Sequence, residues 1–170
     1  MLLRKFLYPA LDYFQTVKKH EVFYEIIIPA ILSVIFSWLL SCKSFGISKF
    51  TDFIFTFIAI LIGFSITTIT LLTTSSNKNI DETKKTPTER KARNRNINLY
   101  RLTLITFTYC LFMEFVILGF NLGYVLLYYL SFFKGFIKYY YAINIFLISH
   151  VILLSYRNIT CLYHIFMKDE

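Results

Sequence analysis

Glu114 is the one acid and His150 the one basic group of this 170-residue chain that lie deep inside long apolar runs. Counting from the charged ends of those runs at about 1.5 Å per residue places both near the middle of a membrane-spanning helix. Ionisable groups at that depth are costly and usually face a partner or a water-filled cavity. Two hypotheses follow. Glu114 either forms a hydrogen bond with His150 or a tyrosine, or lines or gates a pore together with His150.

A second chemical feature lies in the apolar run from about residue 53 to 74, where one helical face is small or hydroxylated. At about 100° per residue, the members of this hydroxyl stripe fall within about 60° of one another. Small residues let helices pack closely in lipid, and a threonine can bond to the carbonyl four residues before it. Alternatively, copies of the helix line a water-filled path in an oligomer. The stripe consists of Thr56, Gly63, Thr67, Thr70 and Thr74.

The third feature is the basic connector, residues 75–98, which holds seven cations and three acids. Membrane topology and anionic lipid headgroups explain much of this charge. In a symmetric oligomer, several copies would also form a basic crown that suits a polyanion such as a nucleotide or short oligonucleotide. The candidate ligand-binding residues are Lys84, Lys85, Arg90, Lys91, Arg93, Arg95 and Arg101.

Within the basic connector, Thr86-Pro87-Thr88-Glu89 has the form of a capping box with proline at the first helical position. We therefore expect a helix that begins near Pro87. This helix should continue without interruption into the next apolar run.

Catalytic signals are weak in this sequence. Arg157 and His164 resemble the R-x(4–6)-H signature of HEPN ribonucleases, but the chain offers no soluble four-helix domain to hold such a site. Arg157 is explained more simply as an anchor whose charged head reaches the membrane surface. The P-loop, GxSxG, HExxH and CxxC motifs are absent, and the three cysteines are scattered. We expect no enzymatic activity, no metal site and no cofactor.

The elements that position these residues follow from composition, which is 56% apolar and only 16% charged. A soluble domain carries about 25% charged residues, so the chain is expected to lie in a membrane. Crossing the hydrocarbon takes about 20 residues of helix. Four runs qualify, which predicts an all-α polytopic membrane protein with four transmembrane helices. The runs are residues 26–41, 53–74, 102–133 and 139–162.

The third run is too long for one perpendicular span, since its roughly 32 residues would extend about 48 Å. Gly119, Asn121 and Gly123 lie where an ordinary span would end. We expect the helix to break or bend there, followed by an interfacial aromatic segment at residues 124–133. The same glycines form a GxxxG pattern. An alternative interpretation is therefore that this segment is a helix-contact motif or a narrow pore mouth.

The positive charges indicate orientation. Fourteen of the 18 lysines and arginines lie in the N-terminal segment, the connector up to Arg101 and the C-terminal end, whereas the two short connectors hold four. The excess marks the cytoplasmic side, so both termini and the basic connector are expected there. Residues 1–22 have an apolar helical face, which predicts an amphipathic interfacial helix that Pro9 would kink or restart. The predicted units are residues 1–22, 23–74, 75–98 and 99–170.

This combination of an N-terminal amphipathic helix, four spans and a basic cytoplasmic connector resembles the small multi-span effectors of bacterial anti-phage defence. The nearest group is the membrane effector of Hailong-type systems; effectors of cyclic-oligonucleotide and retron systems are similar in outline. The resemblance implies a homo-oligomeric ion channel, for example a tetramer, in the bacterial inner membrane. An anionic nucleotide or oligonucleotide would gate it, and depolarisation would follow. The alternative is a non-conducting adaptor that anchors a cytoplasmic defence partner encoded nearby.

Overall fold

The computed structural model describes residues 7–42, 46–75, 77–129 and 136–167. Within these ranges the chain forms six helices and one two-stranded antiparallel hairpin. In chain order the elements are α1 Tyr8–Thr16, α2 Lys19–Cys42, α3 Ile47–Thr74, α4 Lys78–Lys85, β1 Pro87–Ala92, β2 Arg95–Asn98, α5 Leu99–Tyr129 and α6 Ile137–Phe166.

Helices α2, α3, α5 and α6 are long and apolar enough to cross a membrane, which confirms the predicted number of candidate spans. The described part of the chain is helical apart from the hairpin and the links between elements. Helix α2 packs along α6, α6 packs against α5, and α5 packs against α3. Where α3, α5 and α6 meet, Ile54, Ile58, Ile117, Val151 and Leu154 are completely buried. Side chains therefore fill the interior of the helix bundle.

Helix α5 does not break at its glycines, so the first of the two predicted alternatives, a break or a bend, is wrong. It runs continuously for 31 residues, and Asn121 is buried within it. The Asn121 amide donates hydrogen bonds to Ile117 O, one turn back, at 2.8 Å and to Asn144 Oδ1 of α6 at 2.7 Å. A polar side chain satisfied in this way gives the helix no reason to end. Residues 124–129 of the predicted aromatic segment are the last turns of α5; residues 130–133 lie outside the described ranges.

The prediction that a helix begins near Pro87 is also wrong. Residues 87–92 form β1, which pairs with β2 in the register Ala92↔Arg95 and Pro87↔Asn98. Arg93 and Asn94, between the strands, have φ of 49° and 62°, the backbone of a tight two-residue hairpin turn. The hairpin buries Ala92 and Ile97. Tertiary burial of these two side chains and the left-handed turn outweigh the local capping signal.

Helix α1 begins with Pro9 in its first turn, so the proline starts the helix rather than kinking it. It packs against α5, where the ring of Tyr13 stacks on that of Tyr109 at 3.8 Å between centroids. The hairpin contacts α1, and α4 contacts the C-terminal part of α6, where Asn79 Nδ2 donates to Phe166 O. These contacts gather α1, the basic connector and the end of α6 at one end of the bundle, the connector end. Residues 1–6 lie outside the described ranges.

Candidate functional site

The hydroxyl stripe lies on the side of α3 that faces away from the other helices of the chain. All five of its members are exposed, whereas α3 buries Ile54, Ile58, Ser65, Thr68 and Leu72. The stripe therefore does not pack against another helix in the part of the chain that the structure describes. Its members are Thr56, Gly63, Thr67, Thr70 and Thr74, and a Cβ placed on Gly63 would meet no atom within 4 Å.

Each threonine of the stripe donates its hydroxyl proton to the backbone carbonyl four residues earlier. The distances from Oγ1 to the carbonyl oxygen are 3.0 Å for Thr56, 2.8 Å for Thr67, 2.9 Å for Thr70 and 2.7 Å for Thr74. The single hydroxyl proton is thus engaged, while the oxygen keeps its lone pairs. A row of such oxygens offers acceptors to a passing cation.

Glu114 lies inside the bundle rather than on the exposed stripe, and it is fully buried. Its Oε1 accepts a hydrogen bond from Ser65 Oγ of α3 at 2.8 Å, and Cys110 Sγ lies 3.6 Å from the same oxygen. The Oε2 atom is buried and has no hydrogen-bond partner among the described residues. Glu114 thus links α5 to α3, and neither His150 nor a tyrosine is among its hydrogen-bond partners in the described part of the chain.

His150 belongs to a different cluster, nearer the connector end. Its Nδ1 lies 2.9 Å from Glu25 O of α2, and its Nε2 lies 3.2 Å from the Tyr109 hydroxyl of α5. The imidazole therefore joins α2, α5 and α6. Glu114 and His150 therefore do not contact each other by hydrogen bonds in the described structure. Both are buried, so neither lies on the exposed hydroxyl stripe.

Sequence reasoning missed the ion-pair cluster next to His150, which we call the carboxylate–arginine cluster: Glu21, Glu25, Arg90 and Arg157. Arg157 Nη1 lies 2.6 Å from Glu25 Oε1 and 3.9 Å from Glu21 Oε2. The Tyr13 hydroxyl donates to Glu25, whose side chain is almost completely buried. Burial raises the pKa of Tyr13 far above its ordinary value, so the phenol stays protonated. The available signal was the spacing of the two glutamates, one helical turn apart.

The cluster reaches the basic connector through Arg90. The guanidinium of Arg90 donates to both carboxylate oxygens of Glu21, at 2.7 and 2.9 Å, and to Thr16 O at 3.2 Å. Arg93 makes a similar two-pronged contact with Asp12, at 2.8 Å for each bond, and this hydrogen-bonded carboxylate raises the pKa of Arg93. The hairpin is therefore clamped to α1 and α2 by two arginine–carboxylate forks.

Three of the seven predicted ligand-binding cations are thus occupied by acids of the same chain, the third being Lys84, which lies 2.8 Å from Asp81. The hydrogen bond from Lys84 lowers the pKa of Asp81. The other four cations are exposed and form no salt bridge within the described ranges. They are Lys85, Lys91, Arg95 and Arg101.

At the end opposite the connector, neutral side chains form a second buried network. The Tyr140 hydroxyl donates to Asn121 Oδ1 at 2.5 Å and lies 3.0 Å from Thr51 Oγ1, while Asn121 bonds to Asn144. Tyr124 stacks on Tyr140 at 3.8 Å between centroids. This asparagine–tyrosine network holds α3, α5 and α6 together without any charge.

The fold and these clusters define a helical membrane protein with four candidate spans. No protein-family model, curated protein or solved structure matches the chain. Over the described ranges, no group of three or more His, Cys, Asp or Glu side chains could hold a metal ion.

Proposed function

We propose that the chain is the subunit of a homo-oligomeric ion channel, with α3 of each copy lining the conduit. The observation that carries this proposal is the hydroxyl stripe on the exposed side of α3. Apolar side chains and buried polar ones fill the interior of one chain, so the water path runs between copies, and a closed cyclic ring is the arrangement that encloses it. Glu114 and His150 are buried within each subunit and hold its helices together rather than line the path.

The exposed cations of the connector end supply the gating site of this channel. Lys85, Lys91, Arg95 and Arg101 project from each subunit into solvent, so a ring of copies repeats them around the axis. Such a crown attracts a polyanion, and a nucleotide or short oligonucleotide is the proposed ligand. The ligand opens the pore if it binds the open state more tightly than the closed state.

Orientation and physiology complete the proposal. The connector end carries the excess of lysine and arginine, which favours placing it in the cytoplasm of a bacterium, with both termini on that side. Opening would then depolarise the inner membrane in response to a cytoplasmic signal. That outcome suits an effector of anti-phage defence.

The experiment that tests the channel is cysteine accessibility combined with ion flux. In a background that lacks the native cysteines, Thr67→Cys is reconstituted in vesicles and treated with a charged, membrane-impermeant thiol reagent. With a short DNA oligonucleotide present as the opening ligand, we expect flux before treatment and a block afterwards. The matched control is Val34→Cys on α2, which is 69% exposed but off the stripe and should not react. Absence of flux in every condition, including infected cells, or equal labelling of the two positions, would overturn the proposal.

A second candidate function is a non-conducting adaptor, because the same exposed cations could bind an acidic face of a cytoplasmic partner. Reversal of Lys91, Arg95 and Arg101 to glutamate separates the two functions. Loss of a co-purifying partner together with unchanged vesicle flux favours the adaptor. Loss of ligand-dependent flux without any partner favours the channel.

A further inference from the structure

The carboxylate–arginine cluster contains one more donor than it satisfies. Arg157 Nη2 is buried and has no hydrogen-bond acceptor within the described ranges, although Arg157 Nη1 is bonded to Glu25. An unpaired buried donor is costly, because it loses its hydrogen bonds to water without gaining one in the protein. The nearest further carboxylate is that of Glu21, whose Oε2 lies 3.9 Å from Arg157 Nη1, just beyond hydrogen-bond length.

Glu21 therefore stands between two arginines. It forms a two-pronged contact with Arg90 and a long ion pair with Arg157. A rotation of its side chain toward Arg157 would bring a second carboxylate to that guanidinium and release Arg90. Neither glutamate would lose its counter-charge in that second arrangement, because Arg157 would remain with both.

Once released, the Arg90 guanidinium can bind a phosphate. A guanidinium fork binds a phosphate with the same two parallel hydrogen bonds that it forms with a carboxylate. Its neighbours in the hairpin, Lys91 and Arg95, are exposed. The carboxylate of Glu21 thus occupies the position that a phosphate would take.

We propose that Glu21 is an internal stand-in for a phosphate, which holds the Arg90 anion site closed until a phosphate-bearing ligand displaces it onto Arg157. This inference rests on the proposed function, because it assigns the regulation of the same anionic signal. The hairpin would then separate from the start of α2 while Glu21 pairs with Arg157 at the end of α6. Ligand binding at the connector is thereby coupled to two candidate spans.

The test compares Glu21→Gln with Glu89→Gln in the full-length protein in nanodiscs. Both changes remove one negative charge, but Glu89 is an exposed hairpin residue without a salt bridge in the described structure. The probe is a fluorescein-labelled short DNA oligonucleotide, measured by anisotropy in phosphatidylcholine discs. We expect Glu21→Gln to bind about tenfold more tightly than wild type, as for the removal of about 1.4 kcal/mol of competition, and Glu89→Gln less than threefold. The gain should disappear when Arg90→Gln is added.

Equal gains in the two variants, or no gain in Glu21→Gln protein that elutes like wild type, would overturn the inference. A parallel titration of both variants with phosphatidylglycerol vesicles, without the oligonucleotide, distinguishes a lipid phosphate from a free ligand. A site for lipid headgroups would give the Glu21→Gln gain in this titration, and a site for a free ligand would not. Vesicle flux keeps this result separate from the channel proposal. A binding gain for Glu21→Gln without flux supports the displacement of Glu21 and rejects the channel. Ligand-gated flux with equal binding gains in both variants rejects the displacement of Glu21.

Discussion

Substitution of Arg157 by alanine should be among the most damaging single changes in the chain. The guanidinium is the close ionic partner of Glu25, at 2.6 Å, and its carbon centre lies 5.2 Å from the ring centroid of Tyr13. The Glu25 side chain is 9% exposed, so removing Arg157 leaves a buried charge with a phenol as its main remaining donor. Removing one partner of a buried pair costs about 3–5 kcal/mol, and the lower figure applies because the Arg157 side chain is still 22% exposed.

The assay is reversible unfolding in mixed micelles with increasing dodecyl sulfate, followed by circular dichroism. We expect Arg157→Ala to lose about 3 kcal/mol, and the Arg157→Ala/Glu25→Ala pair to lose about 2 kcal/mol less than the sum of its single changes. The control is Arg101→Ala, an exposed arginine without a salt bridge in the described structure, which should stay within about 0.5 kcal/mol of wild type. Additive single effects, or an Arg157→Ala loss no larger than that of the control, would refute the reasoning.

Three further predictions use the same unfolding assay. Ile58→Ala should lose about 2–4 kcal/mol, because Ile58 is completely buried in the core and its truncation leaves a cavity. Asn121→Leu should lose only about 1 kcal/mol despite breaking three side-chain hydrogen bonds, two of them to α6, since such bonds contribute modestly between membrane helices; a loss exceeding that of Ile58→Ala would contradict this order. Asn94→Val should lose about 1–2 kcal/mol and expose the hairpin to trypsin, whereas Asn94→Gly should not, because the φ of 62° strains a β-branched side chain.

The sequence was sufficient to predict the four long apolar helices, since length and hydropathy alone determine whether a segment can cross a membrane. The hairpin could not be predicted in the same way. The residues Pro87 to Glu89 carry a helix-start signal, and the strands have poor β-forming composition. What selects the hairpin is burial of Ala92 and Ile97, together with the arginine forks to α1 and α2, none of which is local in sequence.

The polar interior was predicted in kind but not in pairing. Glu114 and His150 were identified as buried ionisable groups, yet their partners come from Ser65 and Glu25, on helices that no spacing argument could bring next to them. The first apolar run is predicted to begin at residue 26, whereas α2 begins at Lys19 and buries Glu25. The hydroxyl stripe was identified from periodicity, but its exposure depends on which face of α3 the other helices cover.

The asparagine–tyrosine network has a consequence for how the two ends of the bundle respond to salt. The end that it holds depends on neutral dipoles and stacked rings, which dissolved ions barely affect. The connector end also contains the Arg93–Asp12 pair, in which the Arg93 side chain is 49% exposed, and dissolved ions screen such a surface pair over about 8 Å at physiological strength. A rise in ionic strength therefore weakens the contacts at the connector end more than those at the opposite end. The helices should then move apart at the connector end while the asparagine–tyrosine network keeps α3, α5 and α6 together.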